Sequence, residues 1–433
     1  NKQTMRNYEL RIETSEMKKA LDMLSTVVNS KNPLPILGDA LCRYDRERRV
    51  FTMTAGNGDM WLQTDCTRKT QDGQAEPWMF EDTGNRGDGK REPLEAFCIR
   101  ISDFREAFAN LPSMPAHCYL QTGDEGGQLR VTYNKGEFTL PVEPAVEYPQ
   151  VPRVVEQGEP GNAQPIVKFT IATQQLLPLI AAARTCTADD ELRPVMNAVA
   201  LDCYHDRLII AASNGHCLYK RILDTLGAGW LRYGEFPTLD PQTQQSGHAI
   251  ILLPKQTVSP LMKALAQTET ITLTADSQRI SIEGDGRRLT TACIEGRYPN
   301  YDSVIPKDSP HHVTLDRSEI MATLRRISYF SCEASNMGVM RYDGNDHFDL
   351  EASNLDFGRK AAEKVAIVNG ESLTLPDGFA IGYKISTMLS VLGLAQGDNI
   401  ILDLADPSRA IVIREDEPNS RLTLLCMPML VNE

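Results

Sequence analysis

The stretches YELRIETSEMKKALDMLSTVV (8–28), VKFTIATQQLLPLIAAARTC (167–186) and HVTLDRSEIMATLRRISYFSC (312–332) decide the fold, because they are one pattern written three times. Each opens with alternating apolar and polar residues, the period of a strand with one buried face. Each then changes to apolar residues at helical spacing, as in Met17, Leu21 and Leu24. A side-chain oxygen stands near every strand-to-helix junction (Ser15, Thr173 and Asp316), where it can accept from an early backbone N–H of the helix.

The segment after each opening recurs too. ALCRYDRERRVFTMTAGN (40–57), NAVALDCYHDRLIIAASNG (197–215) and VMRYDGNDHFDLEASN (339–354) each read as strand, polar turn, strand. Their turns fall at Asp45-Arg46, His205-Asp206 and Asp343-Gly344, the signal of a hairpin. A second strand-to-helix entry comes at FCIRISDFREAFANLP (97–112), ILLPKQTVSPLMKALAQ (251–267) and FAIGYKISTMLSVLGLAQ (379–396), with a further hairpin after each. The spacing predicts helices over 15–28, 101–112, 172–186, 255–267, 316–332 and 384–396. Each repeat is therefore β-α-β-β-β written twice, an α+β unit of two helices on antiparallel sheets. The proline- and glycine-rich stretch 149–165 and the shorter 305–311 separate the repeats, giving expected domains of 1–155, 166–308 and 309–433. Segments 80–93 and 226–247 interrupt the pattern and read as surface insertions.

Composition narrows the function classes. The ten cysteines include no CxxC pair, so neither a zinc site nor a redox motif is expected; they read as free, buried thiols, Cys42, Cys98, Cys293 and Cys426 lying in apolar runs. No apolar run nears the roughly 18–20 residues of a membrane span, and the polar beginning is unlike a signal peptide, so a cytoplasmic protein without membrane contact is expected. GxSxG, HExxH, P-loop and GxGxxG patterns are all missing, and no catalytic residue, metal or cofactor is expected. His216, in the string SNGHC, has no nucleophile or carboxylate placed beside it in sequence and reads as a pocket-wall or core histidine. The acidic clusters at 189–191 and 415–417 read as solvated charge. A net charge of −13 opposes a simple nucleic-acid binder unless the positive charge is concentrated somewhere. It is: the six predicted helices carry four more basic than acidic residues, against an excess of seventeen acidic residues elsewhere.

Four strings, in order along the chain, carry a resemblance. NPLPILGDALCR (32–43), ASNGHCLYKRI (212–222), EGRYPNYDSVIPK (295–307) and LLCMPML (424–430) resemble segments of the bacterial DNA polymerase III beta subunit, the sliding-clamp family. The resemblance runs over essentially the whole chain. It implies three domains per subunit and a head-to-tail homodimer closed into a ring, helices lining the hole and sheets outside. It implies a non-catalytic processivity factor that encircles double-stranded DNA without reading its sequence. On this reading Lys18, Lys19, Lys31, Arg105, Arg184, Lys255, Lys263, Arg325, Arg326 and Lys384 face the DNA. Phe138 and Leu140 would meet Tyr329 and Phe330 of a second copy. A groove formed by Met196, Ser213, Gly215, His216, Leu218, Pro299, Val304, Leu425, Met427, Pro428 and Met429 would take short peptide motifs of the replicative polymerase, the clamp loader and repair polymerases. The chain departs from the family at Cys217, Ser303 and Leu430, where arginines are usual, and at Lys384 and Thr387, where Asn and Tyr are usual. The other reading is a clamp paralogue, or a repeat-built ligand-binding protein, without a role in replication.

Overall fold

A computed structural model describes residues 6–29, 34–45, 50–69, 75–77, 81–82, 96–123, 126–154, 167–204, 206–224, 231–233, 248–368 and 375–431. Among the described residues the helices are α1 (Thr14–Leu24), α2 (Ile101–Ala109), α3 (Thr173–Arg184), α4 (Val258–Leu265), α5 (Arg317–Ser328) and α6 (Ile385–Leu392). Each lies inside or within one residue of a stretch that the sequence predicts. Strands fill the spaces between them, and the fold is α+β.

The helices form for the reason their spacing suggests. Met17, Leu21 and Leu24 are buried on one face of α1, as are Ile320, Leu324 and Ile327 on α5. Burying one such side chain is worth about 1.5–3 kcal/mol, more than the intrinsic propensity of any single position. The caps differ from expectation. Among the described residues, the one α-helix with a side-chain cap shown is α5, where Asp316 accepts from the Glu319 N–H at 2.8 Å. Ser15 lies inside α1 and Thr173 is the first residue of α3, so neither stands at the cap. Their helix starts are held by the backbone instead: the N–H of Thr14 donates to Met114 O, that of Thr173 to Glu269 O, and that of Arg317 to Asp398 O, at 2.8–3.1 Å. The same tie recurs in all three repeats, and it spans about a hundred residues at each, beyond the reach of a local sequence signal.

The chain divides into two compact units, Asn1–Gln174 with Gln256–Ala292, and Gln175–Lys255 with Cys293–Glu433. In the first, antiparallel strands run in the order Val167–Ala172, Thr270–Ala275, Arg279–Gly284, Arg287–Ala292, Met60–Lys69, Val50–Gly56, Asp39–Asp45 and Ala96–Arg100. The sheet continues through Gly136–Pro144, Gly126–Tyr133 and Pro115–Gly123 to Arg6–Glu13. Helices α1 and α2 pack on one another in this unit. In the second unit one sheet runs Ala249–Pro254, Ala198–Cys203, Arg207–Ser213, Cys217–Asp224, Leu422–Cys426, Ile411–Glu415, Asn399–Leu404 and His311–Asp316. A smaller sheet runs Arg359–Ala366, His347–Asn354, Met337–Tyr342, Phe379–Lys384 and Pro428–Met429, and α5 packs with α6.

Neighbouring repeats are joined by strand pairing, in the same way twice. Met60 to Thr64 pair with Thr291 to Arg287, and Cys217 to Arg221 pair with Cys426 to Leu422. In each case the last strand of one repeat's first half meets the last strand of the next repeat's second half. Two strands in those positions keep an open side among the described residues. Residues 136–142 pair only with 127–133, and Arg359–Ala366 pairs only with His347–Asn354. All ten cysteines are free, and eight are buried; Cys293 and Cys332 are half-buried, so Cys293 is less enclosed than its apolar surroundings suggest.

Candidate partner groove and helix cations

The groove residues fall together in the second unit. The corner at Ser213–Cys217 turns tightly because the Asn214 side chain accepts from the backbone N–H of both His216 and Cys217 at 2.9 Å. Gly215 sits at φ +87°, which glycine adopts without strain. The Ser213 hydroxyl donates across the corner to Cys217 O at 2.8 Å, and the Ser213 N–H donates to the Tyr298 hydroxyl at 3.0 Å. This last bond ties the corner to the loop Tyr298–Pro299. The terminal segment joins from the other side, where the Met427 N–H donates to His216 O at 2.8 Å. Pro428 and Met429 then pair with Tyr383 and Gly382.

Burial separates the eleven residues into wall and surface. Leu218, Leu425 and Met196 are buried, and Leu218 and Leu425 share a core cluster with Tyr298 and Tyr301. They support the site from beneath. The apolar surface is Val304 (50% exposed) and Met427 (38%), with Pro428 and Met429 half-buried and His216 and Pro299 exposed; Leu430, outside the eleven, follows at 85% exposed. Exposed methionines repack readily around different apolar anchors. Val304 is carried on the short turn Tyr301–Val304, which Asn300 caps by accepting from the Asp302 N–H at 3.1 Å.

Sequence reasoning missed what holds that turn. Asp202, buried at the end of the strand Ala198–Cys203, accepts from the Tyr301 hydroxyl at 2.6 Å and also bonds the His248 imidazole, against which the Tyr204 ring stacks. Burial, then the Asp202 carboxylate, pushes ionisation of the Tyr301 hydroxyl well above the ordinary tyrosine range, so it stays a donor. Sequence reasoning also placed Cys217 without its neighbour. The Cys186 thiol bonds it and lowers its pKa, while the pKa of Cys186 is pushed up by the same bond and by burial. Cys426 lies opposite Cys217 in the paired strands.

The cations expected on the helices divide by what they touch. Lys18 donates to Ala109 O at 2.6 Å, closing the end of α2. Lys263 donates to Asp22 O at 2.7 Å, and Arg105 pairs with the Asp22 carboxylate at 2.8 Å. Lys255 holds Ala188 O at 2.6 Å and Asp189 at 2.7 Å. Arg326 grips Glu363 with two guanidinium nitrogens, and Lys19 pairs with Glu16. Arg184, Arg325 and Lys384 are exposed and make no ion pair among the described residues. Lys31 lies outside the described residues, as do most of 80–93 and 226–247.

The four aromatic and aliphatic residues expected at a subunit contact are partly uncovered. Tyr329 is 69% exposed and meets the half-buried Phe330 edge-on at 5.4 Å. The Arg359 guanidinium lies 5.2 Å above Tyr329 and 5.4 Å from the exposed Phe357 ring. In the other unit Phe138 and Leu140 alternate onto one half-buried face, Phe138 resting edge-on against Phe108 at 5.5 Å.

Residues 302–430 match the family model described as DNA polymerase III beta subunit, C-terminal domain. The Caulobacter vibrioides (strain NA1000 / CB15N) protein named Beta sliding clamp is 22% identical over 429 residues, covering 98% of this chain and 100% of that protein. Residues 302–430 thus match the beta-clamp family, and the whole chain is similar to beta sliding clamps. A Pseudomonas aeruginosa beta clamp is likewise 22% identical over 420 residues, covering 96% of this chain and 98% of its own length. The fold agrees over the same span. The Bacillus subtilis DNA polymerase sliding clamp superposes with a TM-score of 0.79 at 17% identity, over 98% of this chain and 100% of that one. The P. aeruginosa sliding clamp bound to griselimycin gives 0.78 at 18% identity, with the same coverage. No described helix of this beta-clamp relative is long and apolar enough to cross a membrane.

Proposed function

We propose that this chain is a DNA sliding clamp, a non-catalytic processivity factor that tethers DNA polymerase III to duplex DNA. Its three domains are 1–155, 166–308 and 309–433, and two copies join head to tail around the duplex. One observation carries the reading: repeats are joined twice by the same strand pairing, and the two strands that would make a third such pairing are left with open sides. Their charges are complementary. The 359–366 strand carries Arg359, Lys360 and Lys364 against Glu363, whereas 136–144 carries Glu137 and Glu143 and no base. A second copy repeats the join at both ends, which closes the assembly without any new kind of contact. Phe138 and Leu140 then meet Tyr329 and Phe330 of the second copy.

The cations of the helices face the duplex, with Arg184, Arg325 and Lys384 the most available to phosphates. Such contacts carry no base information, as sliding requires. The surface of Val304, Met427 and Leu430 takes an apolar partner peptide beginning with glutamine, in the groove that Ser213 to Leu218, Pro299 to Val304 and Leu425 to Met429 enclose. With Cys217, Ser303 and Leu430 in place of arginines, the rim is less basic than in relatives. The test is retention on DNA. The chain, loaded on a nicked circular plasmid by its cognate loader, should stay with the plasmid through gel filtration and be released when a single cut linearises it. Equal retention on linear and circular DNA would refute topological binding.

A further inference from the structure

We propose that the junction between the first two repeats carries a second docking cleft, one that takes a short acidic peptide segment of a partner protein. The cleft lies wholly within the first unit and measures about 590 Å³, room for several side chains. Its position repeats that of the groove in the other unit. Both lie on a strand pairing between repeats, with Trp61 opposite Thr290 in one and Leu218 opposite Leu425 in the other. Both come after a short 3-10 turn, Pro35–Gly38 and Pro194–Asn197. Both are flanked by a Tyr-Pro pair whose hydroxyl ties the loop to the neighbouring strand: Tyr148 donates to Thr54 O at 3.3 Å, where Tyr298 accepts from Ser213.

The chemistry of the two sites is opposite. The groove exposes Val304 and Met427, whereas the cleft is lined, among the described residues, by Arg43, Arg153 and Arg288 with one carboxylate, Asp45. Arg43 and Arg153 are exposed, and Arg288 is steadied by Glu283 at 2.8 Å. Three guanidinium groups around one cleft stand out in a chain of net charge −13. Guanidinium matches a carboxylate with two parallel hydrogen bonds, which a flexible acidic side chain can reach. Gln63, Gln150 and Thr52 add neutral donors and acceptors to the lining. The wall also holds a buried donor that meets no acceptor among the described residues, the Trp61 indole N–H. A backbone carbonyl of a seated segment can satisfy it once the ring shifts toward the cleft. Single-stranded nucleic acid fits less well, because the cleft's rings, Trp61 and Tyr148, are buried and offer no face for a base to stack on. Nothing in this site requires the chain to encircle DNA, so the cleft and the clamp reading can fail separately.

The test is calorimetry on the full chain with three probes: an acetylated, amidated Glu-Leu-Asp-Asp-Leu-Glu peptide, its all-lysine counterpart, and a ten-nucleotide oligothymidylate. The acidic peptide should bind at roughly micromolar strength, quench tryptophan fluorescence in a manner lost in Trp61→Phe, and weaken as salt rises. Arg43→Glu with Arg153→Glu should weaken it at least tenfold while the melting temperature and binding of a groove peptide stay unchanged. If that variant melts early, Arg43→Gln with Arg153→Gln replaces it and should still weaken binding several-fold. Three results would each overturn the proposal: no heat from the acidic peptide up to millimolar concentration, affinity indifferent to the arginine changes in a folded variant, or tighter binding of the oligothymidylate.

Discussion

Tyr301→Phe should loosen the groove without emptying its core. The ring keeps its place in the cluster beside Leu218, Leu425 and Tyr298, and only the hydroxyl is lost. That hydroxyl donates at 2.6 Å to Asp202, a carboxylate just 1% exposed, so water cannot take its place. A buried hydrogen bond to a charged acceptor contributes about 1.5–3 kcal/mol, and its loss should fall in that range. Asp202→Ala removes the acceptor of both the Tyr301 and the His248 bonds, so alone it should cost about 3 kcal/mol or more. The double variant should cost less than the two singles together by about 1.5 kcal/mol or more, since the shared bond can be lost only once. Urea unfolding of the four proteins gives this coupling. Because Tyr301 starts the turn that carries Val304, calorimetry with a glutamine-led apolar peptide should show a several-fold loss of affinity in Tyr301→Phe. A coupling below about 0.5 kcal/mol, within the scatter of independent sites, would refute the bond. Unchanged peptide affinity in a destabilised protein would refute the link from Tyr301 to the groove.

Charge reversal should sort the helix cations: Arg325→Glu with Lys384→Glu should leave the melting temperature unchanged, weaken retention on circular DNA at low salt, and make that retention less salt-dependent than in the parent. Lys255→Glu, which breaks the hold on Ala188 O and Asp189, should instead lower the melting temperature. Tyr329→Ala with Phe330→Ala should yield a folded monomer by light scattering, and a dimer persisting at low micromolar concentration would contradict that contact. Asp316→Ala should cost about 1 kcal/mol through the lost cap, read by thermal melting. The Ser318 hydroxyl and then the Glu319 N–H hold the Asp316 carboxyl below the usual carboxylate range. Its contribution is therefore present above the unfolded-state pKa and lost as pH falls through the lower folded value. Asp316→Asn, which keeps the acceptor, should flatten that part of the acid-unfolding curve.

The repeats were legible because alternation and helical spacing are local, and burial at Met17, Leu21 and Leu24 matches the spacing directly. Asp316 was legible as a cap for the same reason. Ser15 and Thr173 misled, because the N–H groups that a cap would serve are tied by backbone carbonyls from distant hairpins. The pairing of 60–64 with 287–291 left no local trace, since strand partners are chosen by tertiary packing. The basic residues are plain in the sequence, but charge alone cannot distinguish Lys255, whose ammonium is engaged with its own fold, from Arg325, which makes no such pair among the described residues. The groove strings converge on one corner and loop, tied by the Ser213–Tyr298 and Met427–His216 bonds. The Asp202–Tyr301 bond, 99 residues apart, and the Cys186–Cys217 contact needed the fold to bring them together.

The open sides of 136–142 and 359–366 have a consequence beyond assembly. A strand edge with free amides and carbonyls is a template for any extended chain, and head-to-tail joining makes a finite object only when the turn per copy brings the last edge back to the first. A substitution that altered that turn by a few degrees, without touching either edge, would convert the same contacts into an open filament. Pro141 on one strand, and Arg359, Lys360 and Lys364 on the other, are residues that discourage unintended pairing. Replacing them with β-branched apolar residues should leave each unit folded and make the dilute protein fibrillise, so that solubility itself becomes a measure of how well the edges find their proper match.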